Sequence, residues 1–147
     1  MKTIAIFSIA IFSLIFTNCD ETKKVIDVAS TVQLSGNYRV SEIGNTDLGS
    51  SDLTFTMAAL DKSIRGNSSC NTFFGNYTVD LYALSFGTFA ITEMYCDEPI
   101  MDIERAYLKA LHNTGSFSIE NSILTLYSKV DRSVVLKANK EVNKEKK

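Results

Sequence analysis

The stretch Asp52-Leu53-Thr54-Phe55-Thr56-Met57-Ala58 sets Leu53, Phe55 and Met57 on one face of an extended chain and Thr54 and Thr56 on the other. Successive side chains of a strand point to opposite faces, so this period of two predicts a sheet with one face buried and one face wet. Upstream, residues 34–43 carry Leu34, Tyr38 and Val40 in a strand-like stretch closed by Gly44-Asn45. Downstream, Asp61-Lys62 reads as a turn into a strand over 63–66, and further strands fall at 73–79, interrupted by Gly75, and at 82–86. Gly87 turns or kinks the chain before a strand at 89–92.

After these come strands at 116–119, 123–127 and 133–137, with turns at Glu120-Asn121 and over 129–131. Val134 and Leu136 of the last strand face alike, so it can pair with the first and close the sheet. Short strands at this spacing predict a mainly β chain, folded as an antiparallel meander or small β-barrel-like domain. One stretch has the other period. Between Asp97-Glu98-Pro99 and Gly115, the residues Ile100, Ile103, Tyr107 and Leu111 recur at three- and four-residue steps. Acidic groups and a proline at the start, and a glycine at the end, predict one helix there, its apolar stripe packed over the sheet or across one end of a barrel.

The totals bound the function. With 15 Lys+Arg against 17 Asp+Glu, no broad basic surface is available for a polyanion, which argues against nucleic acid as a partner. Residues 139–147 are locally basic and read as a solvated polar tail. The length suits one domain, with no repeat and no low-complexity linker.

At the other end, Met1-Lys2-Thr3 gives a short basic start and residues 4–17 carry no charge. A spanning helix needs about 20 apolar residues, so this run is short for a permanent span and has the proportions of a secretory leader. Its end, Phe16-Thr17-Asn18-Cys19, resembles the bacterial lipoprotein signal. That resemblance implies cleavage after residue 18, diacylglycerol on the Cys19 sulfur and usually a further acyl chain on its amine; two or three chains anchor stably where one does not. The expected organisation is therefore a lipoprotein signal peptide over 1–18, lipidated Cys19 and a polar tether over 19–31, a domain over 32–138 and the tail over 139–147. The localisation that follows is the bacterial cell envelope, lipid-anchored to a membrane, with the leaflet open.

Once Cys19 is assigned to lipid, Cys70 and Cys96 remain. An even number of cysteines in an exported domain argues for a disulfide, with separate buried thiols and a reactive thiol as the alternatives. Such a bond would remove denatured-state entropy worth about 3.5 kcal/mol. Reactive chemistry has little support: there is no C-x-x-C pair, and the single histidine, His112, falls near the far end of the predicted helix. Two cysteines and one histidine also lack the spacing of a structural zinc site, so no metal and no cofactor is expected. Asp97, Glu98, Asp102 and Glu104 are read as helix-start and solvent-facing carboxylates. Asp102 and Glu98 share a helix face, but acid–base work on a sugar would also need a cleft and stacking aromatics.

The run Gly66-Asn67-Ser68-Ser69-Cys70-Asn71-Thr72-Phe73-Phe74-Gly75-Asn76-Tyr77 resembles the signature of the META domain, the family of the heat-shock protein HslJ, roughly Gly-x-x-Gly-Cys-Asn-x-x-x-Gly-x-Tyr. Gly66, Cys70, Asn71, Gly75 and Tyr77 match, and Ser69 replaces the usual glycine. A second block, Thr-x-Met-Ala-Cys, is matched by Thr92, Met94 and Cys96, with Tyr95 in place of alanine. The opening Leu-x-Gly-x-Trp stands as Leu34, Gly36 and Tyr38. Glu104 in the helix and the strand Leu124-Thr125-Leu126 follow in the family's order. The resemblance implies an antiparallel barrel of lipocalin-like topology with one helix, frequent membrane anchoring, links to stress or drug tolerance, and no catalytic activity. Cys70, Asn71, Gly75 and Cys96 enter as signature positions.

The expected function is thus a non-enzymatic, membrane-anchored envelope lipoprotein: a stress-related structural or protein-binding module, its partner met around residues 71–76 if Phe73 or Phe74 is exposed. The alternative is a carrier or sensor of a small hydrophobic ligand within the barrel, which an internal pocket of several hundred cubic ångströms would favour.

Overall fold

The computed structural model describes residues 28–49 and 51–141. The leader, Cys19, most of the tether and the tail beyond Glu141 lie outside the described residues. A short helix, α1, spans 28–34. It is followed by β1 (Gly36–Ile43), β2 (Thr46–Asp47), β3 (Thr54–Met57), β4 (Ser63–Asn67), β5 (Thr72–Asp80), β6 (Ala83–Phe86) and β7 (Ala90–Ile91). Helix α2 (Glu98–His112) then precedes β8 (Thr114–Glu120), β9 (Ile123–Ser128) and β10 (Val134–Glu141).

All pairings are antiparallel, and the ladder β1-β3-β4-β5-β6-β8-β9-β10 returns to β1 through register pairs from Asn37↔Glu141 to Ile43↔Leu136. Eight strands thus close into an up-and-down barrel, which removes the exposed edges of an open sheet. The short β2 and β7 attach outside this ring, to β1 and β5. The expected pairing of last strand with first is present. The weakest joint is β6 to β8, where Ala83↔Ser116 is the one register pair, supported by the Phe117 amide donating to the Tyr82 carbonyl.

The alternation at 53–57 does what it predicted: Leu53, Phe55 and Met57 are buried, and Thr54 and Thr56 are half-buried. Strand β5 alternates without a break along its length. Gly75 therefore does not interrupt it, contrary to expectation. An added Cβ there would stand 2.7 Å from the Phe89 ring, so the glycine lets Phe89 lie against the strand. Fully buried Tyr38, Phe55, Tyr77, Tyr107, Leu111 and Leu126 fill the interior.

Three further expectations change. Leu34 is the last residue of α1 and not a strand residue; its carbonyl accepts from the Tyr38 hydroxyl at 2.9 Å. The domain has two helices where one was expected. Asn139 to Glu141, assigned to the tail, continue β10 because they pair with residues 37–39 of β1.

The up-and-down order divides the barrel into two ends. One, the hairpin end, carries α1, the β3–β4 turn, the β5–β6 turn and the β8–β9 turn. The other, the helix end, carries the β4–β5 turn, the segment 87–97 and α2, which packs against β10, β6 and β1.

Candidate functional site

The β4–β5 turn brings most of the signature together. Asn67 Oδ1 accepts from the Ser69 amide at 2.7 Å, an Asx-type bend that starts the turn. Ser69 has φ of +85°, a region a side chain occupies at a cost, which explains why glycine is usual at this position of the signature. Cys70 follows and is bonded to Cys96, with Cα atoms 6.0 Å apart. The bond fastens the turn to the segment that leads into α2.

Asn71 is 4% exposed, and its side chain uses all of its hydrogen-bonding capacity. Oδ1 accepts from the Met94 amide and the Thr92 hydroxyl, each at 2.8 Å. Nδ2 donates to the Met94 carbonyl at 3.2 Å and to Glu104 Oε1 at 2.9 Å. Glu104 Oε2 also accepts from the Asn71 amide at 2.9 Å and from the Ser68 hydroxyl at 2.6 Å. A buried carboxylate is tolerated here because three donors satisfy it.

Glu104 is therefore buried, 5% exposed, and not solvent-facing as expected. The sequence did carry a signal: Glu104 stands four residues after Ile100 and three before Tyr107, on the stripe expected to be apolar. The buried face of α2 is Glu104, Tyr107, Ala110 and Leu111, while Ile100 and Ile103 are partly exposed. Tyr107 and Leu111 of the expected stripe are buried, so the buried face is the expected one with the carboxylate added, and the stripe's exposed members, Ile100 and Ile103, stand near the helix start.

Cys70, Asn71, Thr92, Met94 and Cys96 converge with Glu104, and Met94 takes part through its backbone while its side chain is exposed. Gly66 and Gly75 stand apart from this cluster. An added Cβ on Gly66 would meet the Thr54 carbonyl and come within 2.7 Å of the Phe73 ring. Tyr77 lies toward the hairpin end, its hydroxyl donating to the Ala58 carbonyl at 3.0 Å.

The catalytic alternatives gain nothing. Both domain cysteines are used in the disulfide, and the His112 carbonyl at the end of α2 accepts from Lys129 Nζ. Glu98 and Asp102 are exposed and both pair with Arg105. Among the described residues no group of three or more His, Cys, Asp or Glu side chains is placed to hold a metal ion.

Beside the cluster, on the outside of the barrel, β3, β4, β5 and β7 form an open groove of about 680 Å³. In register, Thr56, Arg65, Phe74 and Ala90 make one row across it, and Thr54, Asn67 and Thr72 make a second. Phe74 is 52% exposed, while Phe73 is buried against Phe89 and Tyr107. The groove joins residues distant in sequence, and sequence reasoning did not find it.

The domain thus combines a closed barrel, an internally satisfied polar corner, a disulfide and an external groove. The chain belongs to the META domain family, whose model matches residues 30–141. It is similar to an NMR structure of a protein from Burkholderia xenovorans at 25% identity and TM-score 0.62, covering 78% of this chain and 88% of that one. The crystal structure of a DUF4847 family protein from Bacteroides vulgatus shares the fold at 12% identity and TM-score 0.57, covering 78% of this chain and 99% of that one. No curated protein matches the chain.

Proposed function

We propose that this META-family barrel is a non-enzymatic envelope lipoprotein, tethered through Cys19, that takes a small ligand with an apolar body in the groove over β3, β4, β5 and β7. The observation that carries this reading is the half-exposed Phe74 between Arg65 and Ala90, in a groove whose volume lies within the range of small-ligand sites, about 300–1,000 Å³. Phe74, Ala90 and Ile91 offer an apolar bed. Arg65 and the hydroxyls of Thr54 and Thr72 offer donors for an anionic or carbonyl end, while the Thr56 hydroxyl donates to Asn37 Oδ1. Because side chains such as Tyr38, Tyr77 and Tyr107 occupy the interior, the carrier reading attaches to this outer groove.

The test is titration of the full chain with 11-(dansylamino)undecanoic acid, read as dansyl emission. Saturable enhancement is expected, lost on Phe74→Asp and weakened several-fold on Arg65→Ala. Binding that both substitutions leave unchanged would put the ligand elsewhere. Lipidation is tested separately: the mass of the membrane-extracted chain should show acyl groups on Cys19, and Cys19→Ser should release the protein from the membrane fraction.

The exposure of Phe74 beside the signature also favours a second reading, a stress-related, HslJ-like module whose groove holds an apolar segment of another envelope protein. Crosslinking from position 74 to protein, with no response to the dansyl probe, would move the assignment to it.

A further inference from the structure

We propose that the hairpin end of the barrel rests in the lipid–water interface, so that the groove and the disulfide corner face away from the membrane. The inference depends on the anchoring through Cys19 proposed above and adds how the domain is seated on the bilayer.

Residues 27 and earlier join the domain at α1, and α1 lies at the hairpin end because β1 begins there. Helix α1 buries Ser30, Thr31 and Leu34 toward the barrel. Val28 and Val32, one helical turn apart, stand 63% and 61% exposed on its other side. Leu60 at the tip of the β3–β4 turn is fully exposed, and Tyr82 at the tip of the β5–β6 turn is 73% exposed. Ile123, at the start of β9, is partly exposed at the same end. Of these, Tyr82 also leans on the core ring of Phe117, with centroids 6.5 Å apart.

The occupant follows from the chain that leads to this end. Cys19 precedes Val28 by only a few residues, a reach of at most about 30 Å when fully extended. A lipid on Cys19 would hold the hairpin end against the bilayer far more closely than the helix end. An amphipathic tyrosine and isolated aliphatic tips suit the headgroup boundary. Charges at this end are of both signs, Asp61, Lys62, Asp80, Glu120, Lys140 and Glu141. The contact therefore rests on apolar insertion and not on attraction to anionic lipid.

The protein has no tryptophan, so a single introduced one reports its own surroundings. The lipidated full chain carrying Tyr82→Trp, or Tyr95→Trp at the helix end, is reconstituted into phosphatidylcholine vesicles with and without brominated acyl chains. Tyr95 is 83% exposed, and at Tyr82 an indole keeps an aromatic face for Phe117. The Tyr82→Trp emission should shift to the blue and lose about half its intensity to bromine, as expected for an indole at the interface. The Tyr95→Trp emission should stay red and remain open to acrylamide. Adding Val32→Asp and Leu60→Asp should abolish the Tyr82→Trp shift while the chain still floats with the vesicles.

Equal bromine quenching at both positions, or quenching of Tyr95→Trp alone, overturns the seating. A floating chain with both indoles in water overturns the docking and leaves the anchor standing. A chain that carries no acyl group and does not float overturns the anchor, and the docking with it.

Discussion

The two ends of the barrel are held by different chemistry. At the helix end, a disulfide and a buried carboxylate with three donors tie the β4–β5 turn to the segment before α2 and to α2 itself. At the hairpin end, closure comes from apolar packing under α1 and from single hydrogen bonds to backbone carbonyls: Tyr38 on Leu34, Tyr77 on Ala58, Ser35 on Met57 and the exposed Lys140 on Gln33. Removing a partner from a buried charged network leaves several groups unsatisfied at once, whereas removing one neutral hydroxyl leaves one. The helix end should therefore fail in large steps and the hairpin end in small ones.

The largest step is Glu104→Ala. It strands the Asn71 amide and takes a charged acceptor from the Asn71 side-chain amide and the Ser68 hydroxyl, which keep only the Met94 and Asn71 carbonyls, and should destabilise the domain by about 3–5 kcal/mol in urea unfolding. A loss below about 1 kcal/mol would mean that the corner does not depend on the carboxylate. The double substitution Cys70→Ser with Cys96→Ser should cost about 3.5 kcal/mol, and reduction of the native protein should lower its midpoint by a similar amount.

The hairpin end gives smaller effects and a different condition. Burial, and secondarily the neighbouring Tyr77, hold the Tyr38 phenol above its ordinary range, while burial and then Asp61 do the same for Tyr77. A phenol whose folded pKa is raised contributes stability that is complete below its unfolded value, about 10, and is lost as pH rises toward the folded value. Stability should thus fall above about pH 10, with tyrosinate absorbance at these positions appearing together with unfolding. Titration of all six tyrosines before unfolding would contradict the burial of Tyr38 and Tyr77.

At neutral pH, Tyr77→Phe should cost about 1 kcal/mol. Tyr107→Phe should be neutral or stabilising, because the Tyr107 hydroxyl is buried with no hydrogen-bond partner among the described residues. A glycine substitution at the polar corner should likewise not destabilise. Ser69→Gly should stabilise by about 0.5–1 kcal/mol by relieving the positive φ, seen as a small rise in melting temperature.

Much of the barrel was legible in the sequence, since the residues that alternate by two are those the ring buries. What escaped had no period to show. Helix α1 is short and contains Val28, Thr31 and Val32, poor helix formers, so tertiary contacts decide it. Strand β2 has two residues. The cysteine pair was legible from its even number, on the expectation of export. Glu104 was readable as a carboxylate on an otherwise apolar stripe, but its three donors lie more than 30 positions away in sequence. The groove could not be read, because it consists of the outward residues of four strands that only the ladder brings into register.

The most direct test of the account is an NMR titration of the isotope-labelled full chain with lauric acid, following backbone amides. Shifts should concentrate at Thr54, Thr56, Arg65, Phe74, Ala90 and Ile91, with the interior unchanged. Shifts centred on interior residues such as Tyr107 and Leu111, or none at saturating ligand, would contradict a groove that binds on the outside of a filled barrel.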